Sequence, residues 1–197
     1  QPIRIGVIGV GFGSTVQIPA FLAEGLEVVA VCARRKERAK ETAEEFGIPH
    51  VYTDYRELLR LPGLDAVSVV TPRYLHHLMT MASLEASKHV LCEKPFAMDE
   101  REAQEMWAKA QQMGLTAMID HEMRFIPANA YVKRLLEEGF VGEVRSVHVS
   151  FCLGPATEKP RPMKWSSVLA EGGGFLTGRG SHQIDTLRYW LGEITGI

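Results

Sequence analysis

The sequence predicts an α/β chain, a doubly wound parallel sheet over residues 1–120 followed by the beginning of a second α/β (α+β) domain over residues 121–197 with a mixed or antiparallel sheet. Three observations carry this expectation. Segments such as Glu27–Cys32 (EVVAVC) and Ala66–Thr71 (AVSVVT) are apolar along nearly their whole length, the pattern of strands buried on both faces. They alternate with amphipathic helical stretches, which makes βαβ units. Beyond residue 120 the pattern changes: Val144–Leu153 sets Val144, Ser146, His148 and Ser150 on one side against Arg145, Val147, Val149 and Phe151 on the other. That alternation predicts a half-exposed strand of a different kind of sheet.

Each element follows from local chemistry. Ile3–Ile8 reads as the first buried strand and breaks at Gly9-Val10-Gly11-Phe12-Gly13 before a helical stretch. Glu27–Cys32 is the second strand. Lys36–Phe46 is an amphipathic helix ended by Gly47, with Pro49 just beyond. Asp54 is placed to cap a short helix to Leu61. Ala66–Thr71 is the third strand, stopped by Pro72, and Tyr74–Ala86 the next helix. His89–Cys92 is the fourth strand, ending at Glu93-Lys94-Pro95. Asp99–Met113 is a capped helix closed by Gly114, and Leu115–Ile119 the fifth strand. In the second domain Ile126–Gly139 reads as a helix. A loop with Pro155, Pro160 and Pro162 precedes Gly172-Gly173-Gly174 and a helix over His182–Leu191. Met79, Met81, Met106 and Met113 fall on helices and read as core filler.

Bulk composition narrows the function. The 197 residues are 46% hydrophobic and 23% charged with a formal net charge of -2. That is an ordinary globular composition with no basic excess, so no nucleic-acid partner is expected. No apolar run approaches the ~20 residues of a membrane span, and no signal peptide is read at the N-terminus, so a cytoplasmic protein with no membrane role is expected. Cys32, Cys92 and Cys152 are far apart and form no CxxC pair, which suits reduced thiols and no metal site. Only one clear strand of the second domain precedes Ile197. A lone strand and helix leave apolar surface open, so the expectation is a piece of a longer protein or a surface covered by another chain.

The glycine-rich turn carries the first chemical signal. Gly9 permits a tight turn, and Gly11 lets the backbone approach a pyrophosphate that meets the following helix N-terminus. Ser14 occupies the third glycine position of GxGxxG, whose task is close helix–strand packing, and Gly13 adds a further opening. Placed first in a run of βα units, the turn predicts dinucleotide binding; a methyltransferase turn is the competing reading. The second strand ends at Ala33-Arg34-Arg35, with no acid to hold a ribose 2′-hydroxyl. Two guanidiniums suit a 2′-phosphate, so NADP is preferred and NAD is the alternative. The other reading of Arg34 and Arg35 is the start of a solvated helix.

These motifs also resemble those of one family. Gly9-Val10-Gly11-Phe12-Gly13, Thr71-Pro72 with His76, Lys88-His89-Val90-Leu91-Cys92-Glu93-Lys94-Pro95, and Gly172-Gly173-Gly174 with Leu176, Gly180, His182 and Asp185 closely resemble the Gfo/Idh/MocA (glucose–fructose oxidoreductase/inositol dehydrogenase-like) oxidoreductases. The resemblance implies an N-terminal Rossmann domain and a C-terminal domain that binds substrate and forms a homo-oligomer. It implies hydride transfer at the CH–OH group of a sugar, cyclitol or related polyol, or its ketone. By the same resemblance Lys94 sits beside the nicotinamide and hydrogen-bonds the reacting oxygen, and His182 acts as acid or base. Thr71, Pro72, His76 and Glu93 border the cofactor, alongside Gly9, Gly11, Phe12, Gly13 and Ser14. Two positions depart from the family pattern: Gly178 stands where many members carry Asp, and Gln17 where many carry His.

Without the motif Lys94 reads as a solvated lysine and His182 as a capping or core histidine. The carboxyl ends of strands in this fold face the ligand crevice, which favours the functional reading. Asp185 is expected to orient either His182 or the substrate. His121, Glu122 and Arg124 follow the fifth strand and are candidates for substrate contact. Trp165, with Lys164, reads either as a sugar-stacking surface or as core. A nucleotide-binding regulator or non-redox enzyme of the same fold is the alternative function.

Overall fold

The computed structural model describes residues 2–151 and 163–196. Its contacts divide the chain into two compact units, Gln1–Asp120 and His121–Ile197. The first holds strands β1 (Arg4–Ile8), β2 (Glu27–Cys32), β3 (His50–Tyr52), β4 (Ala66–Val69), β5 (His89–Glu93) and β6 (Ala117–Asp120) in one sheet of order β3-β2-β1-β4-β5-β6. Every adjacent pair is parallel. The order reverses at β1, which pairs with β2 on one side and β4 on the other. In a doubly wound sheet that reversal opens a crevice at the carboxyl ends of the two central strands.

Apolar side chains of alternating strand positions cover both faces. Ile5, Val7 and Val31 pack with Ile18 of α1 (Ile18–Ala23) and with Ala39 and Ala43 of α2 (Lys36–Phe46). Ile8, Val67 and Val69 pack with Leu58 of α3 (Tyr55–Leu59), Leu84 of α4 (His76–Glu85) and Met106 of α5 (Glu100–Met113). Gly6 is set by this packing: a Cβ there would lie 2.8 Å from Leu58 Cδ2. Asp54 and Asp99 cap their helices by accepting from the backbone N–H of Arg56 and Glu102, each worth about 1 kcal/mol.

Three expectations change. The sheet has six strands, because His50–Tyr52 pairs in register with Ala30–Cys32. Three residues including a His and a Tyr are too short to show a period. Residues 144–151 form no strand among the described residues, and Val144, Val147, Val149 and Phe151 are exposed. Alternation prepares a strand, but a strand needs a partner to accept and donate its ladder hydrogen bonds, and none of the described residues pairs with this stretch. Leu153, Cys152 and the loop with Pro155, Pro160 and Pro162 lie outside the described residues. Met113, at the last position of α5, is exposed rather than core.

In the second unit α6 (Pro127–Glu137) and α7 (Ser181–Leu191) pack together, with the Trp190 indole donating to the Asn129 carbonyl at 2.9 Å. A π-wound turn, Leu176–Gly180, leads directly into α7. Before it, Gly173 meets the backbone of the Trp165–Ser167 turn, where a Cβ would lie 2.6 Å from the Trp165 carbonyl oxygen.

Candidate active site

In the first unit the site is assembled from strand ends. Gly9 follows β1 with φ 112°, and a Cβ there would sit 2.2 Å from the Val70 carbonyl oxygen. Only glycine makes this turn, in the left-handed region and pressed against the end of β4. At Gly11 a Cβ would meet, among the described residues, nothing within 4 Å beyond its chain neighbours. Phe12, next in the turn, is exposed. The chain then winds through a π-type turn, Gly13–Gln17, into α1, so the free N–H groups of a continuous helix follow the open glycine.

The task of close helix–strand packing falls on a different residue from the one expected. A Cβ at Gly13 would lie 3.0 Å from Val7 Cγ1, so Gly13 supplies the close approach. Ser14 is half-buried, and its hydroxyl donates back to the Val10 carbonyl at 2.7 Å.

The ends of β4 and β5 are tied to one another. His76 is buried, with its ring nitrogens 2.8 Å from the Thr71 carbonyl and 3.0 Å from that of Pro95. Burial holds its pKa below the usual histidine value, against the opposing pull of those carbonyls. The ring sits between Thr71-Pro72 and the Glu93-Lys94-Pro95 turn, whose Lys94–Pro95 peptide is cis, and in its neutral form donates its one N–H to one of the two carbonyls. Arg73 supports the same turn by donating to the Ala97 and Met98 carbonyls, a role the sequence reading did not assign. The Thr71 hydroxyl is out of solvent and without a hydrogen bond among the described residues, at the carboxyl end of β4. Arg34 and Arg35 follow β2 and are exposed, and neither is in an ion pair among the described residues.

Glu93 is buried at the end of β5 and accepts the Lys94 backbone N–H through Oε2 at 3.1 Å. Its Oε1 accepts from the amide of Gln17, 3.1 Å away. Gln17 is buried too, a position the sequence marked only as a departure from a histidine.

In the second unit five of the expected residues gather: Asp185, Arg124, His121, His182 and Glu122. Asp185 is buried on α7, and both of its oxygens are taken by Arg124, one bond being Nε to Oδ2 at 3.0 Å. His121 Nδ1 lies 3.5 Å from Asp185 Oδ1. His182, also buried, stands edge-on to His121 with ring centroids 5.8 Å apart. Its Nε2 is 3.8 Å from Glu122 Oε1. Arg124 thus engages both Asp185 oxygens, with His121 beside one of them, and the Asp185 hydrogen bond raises the Arg124 pKa further. The carboxylate beside His182 comes from Glu122. Among the described residues, a Cβ at Gly178 would meet no atom within 4 Å beyond its chain neighbours and its own helix backbone. Trp165 is half-buried, and among the described residues no hydrogen bond, ion pair or ring contact joins it to this group.

Comparison with known proteins accords with this arrangement. Residues 3–121 match the model of an oxidoreductase family with an NAD-binding Rossmann fold, and residues 129–197 match the GFO/IDH/MocA C-terminal domain. An uncharacterised oxidoreductase of Synechocystis is 33% identical over 196 residues, covering 99% of this chain and 53% of the relative. The dTDP-3,4-didehydro-2,6-dideoxy-α-D-glucose 3-reductase of Actinomadura kijaniata is 37% identical, covering 98% of this chain and 57% of the relative. The solved structure of levoglucosan dehydrogenase in complex with NADH superposes with a TM-score of 0.86 at 28% identity, covering 98% of this chain and 55% of that one. The chain thus spans about half the length of the relatives it matches. From its phosphate-type turn to its second unit, the chain belongs to the Gfo/Idh/MocA oxidoreductase family.

Proposed function

We propose that this protein is an NAD(P)-dependent dehydrogenase or reductase acting on the CH–OH group, or the corresponding ketone, of a sugar, cyclitol or related polyol. The observation that carries it is the turn at Gly9–Gly13: a backbone forced tight at Gly9, open at Gly11, and continued by a helix at the sheet's switch point. The residues fit a dinucleotide. The open glycine and helix N–H groups suit a pyrophosphate, and the Thr71 hydroxyl awaits a polar partner at the next strand end. Arg34 and Arg35 favour NADP over NAD. Relatives of this chain have been solved with both, levoglucosan dehydrogenase with NADH and a 3-ketoreductase of Actinomadura kijaniata with NADP.

When bound, the nicotinamide accepts or donates the hydride. Lys94, at the end of β5, is assigned to the reacting oxygen: it takes the hydroxyl proton in oxidation and returns it to the carbonyl oxygen in reduction. As an ammonium it also steadies the negative charge that develops on that oxygen. His182 is assigned as a second acid or base, set between Glu122 and His121, while Asp185 keeps Arg124 and His121 in place. The proposal extends to a homo-oligomer formed through the second domain and to a cytoplasmic location, which the buried free thiols of Cys32 and Cys92 suit. No helix among the described residues is long and apolar enough to cross a membrane. A screen of nicotinamide absorbance against polyols and their keto forms, with each cofactor and the full-length protein, is the test. Turnover of a sugar-type substrate is expected, and none with either cofactor in either direction would move the weight to a non-redox role.

A further inference from the structure

We propose that Gln17 is a positioning residue for Lys94, acting through Glu93 and coupling the dinucleotide turn to the strand end that carries the lysine. The inference rests on the assignment of Lys94 made above. The Gln17 amide Nε2 donates to Glu93 Oε1 at 3.1 Å and to Asp120 Oδ2 at 2.8 Å, and its Oε1 accepts from the Ser68 hydroxyl. One buried side chain thereby joins the ends of β5, β6 and, through Ser68, β4. Glu93 and Asp120 are register neighbours on adjacent strands, so their carboxylates repel. A neutral group with two N–H donors and one acceptor satisfies both carboxylates and the hydroxyl at once, and among side chains only the carboxamides offer that set.

The chain from Gln17 to Lys94 is short. Glu93 is gripped on one oxygen by Gln17 and on the other by the Lys94 backbone N–H, 3.1 Å away. Rotation of the Glu93 carboxylate would therefore move the peptide from which the lysine side chain leaves. At its other end Gln17 closes the π-wound turn that begins at Gly13, beside the open glycine. A shift of that turn on ligand binding is transmitted to Glu93 by the same amide.

Among the described residues, the charged groups bonded to the Gln17 amide are Glu93 from β5 and Asp120 from β6, and the Cys92 thiol next to Glu93 in the chain is pushed up to about 12 by burial. The stretch Gly13–Ala23 itself carries no titratable side chain. Replacing the amide by a carboxyl would set three carboxylates together. The new group's folded-state pKa then lies above its unfolded value of about 4.3. Its cost is greatest at high pH and is relieved as pH falls, because the protonated carboxyl regains one donor and one acceptor.

Two variants of the full-length protein test this, Gln17→Leu and Gln17→Glu. Lysines are reductively methylated with a ¹³C label, and the Lys94 resonance is assigned by its loss in Lys94→Met. In Gln17→Leu the Lys94 resonance is expected to leave its wild-type position while those of Lys36, Lys40 and Lys109 stay. In Gln17→Glu the Lys94 resonance is expected to be displaced at high pH. It should return toward wild type, together with the lost melting temperature, as pH falls from about 8 to about 5. The acid arm also serves if Gln17→Leu does not fold. A wild-type Lys94 resonance in the folded variants, or a Gln17→Glu deficit independent of pH, would overturn the proposal. Failure of the redox reading would appear instead as absent turnover with the lysine resonance still answering to Gln17.

Discussion

Gly11→Ala separates ligand binding from folding, because its methyl group meets no other segment of the described residues. The added Cβ has nothing within 4 Å, and Gly11 is not among the positive-φ glycines. Stability should therefore hold or rise by up to ~1 kcal/mol, since alanine narrows the unfolded ensemble. The ligand is affected differently. If the backbone at Gly11 lies against a pyrophosphate, a methyl there must push the phosphates away or displace the turn. Overfilling a close contact costs about 1–3 kcal/mol, which is roughly a 5- to 150-fold loss of affinity. Gly9→Ala is the control in the opposite sense. It combines a φ of 112° with a Cβ 2.2 Å from the Val70 oxygen, so the turn itself must move and the melting temperature must fall. Calorimetric titration with NADPH and with NADH, alongside thermal melts followed by circular dichroism, reads both quantities. A Gly11→Ala protein that binds both cofactors as tightly as wild type would refute the placement of the phosphates. A clear drop in its melting temperature would refute the claim that the space is open.

Three further outcomes are expected. Removing Arg34 and Arg35 together should lower NADP affinity about tenfold per lost charged contact and leave NAD binding nearly unchanged; equal cofactor affinities in the wild type would mean that these exposed arginines only decorate the start of α2. Lys94→Met should abolish turnover with cofactor binding intact, and His182→Ala should cost on the order of 10²–10⁴-fold; near-normal steady-state rates in the lysine variant would remove it from the chemistry. His76 has its pKa held below 6.5 by burial, so the folded state binds fewer protons than the unfolded one. Its contribution to stability is complete above about pH 6.5 and fades as pH falls below it. Melts of wild type and His76→Gln across that range should therefore converge on the acid side, and a constant gap between them would contradict the assignment.

What was legible in the sequence was what a local stretch of chain reports about itself. The buried strands, the Asp54 and Asp99 caps and the Gly9 turn each follow from a few adjacent residues, and each appears in the structure. What was not legible depends on partners far along the chain. His50–Tyr52 becomes a strand because β2 offers it an edge, not because of any period of its own. Val144–Phe151 has the period and, among the described residues, no strand to pair with. The same distinction governs the candidate site. Asp185 was open to two roles because a carboxylate can orient a base or hold a substrate; the approach of Arg124, 61 positions earlier, takes both of its oxygens. Gln17 is marked in sequence only as a departure from a family histidine, and its bonds arise only where residues 51, 76 and 103 positions away bring a hydroxyl and two carboxylates to its amide. Residue type limits which bonds a side chain can make, and topology chooses among them. Gly178 illustrates the consequence: the carboxylate 3.8 Å from His182 is that of Glu122, which the sequence offered as a substrate contact and not as a neighbour of residue 182. A departure from a family pattern is thus better judged by what occupies the space than by what has left the sequence.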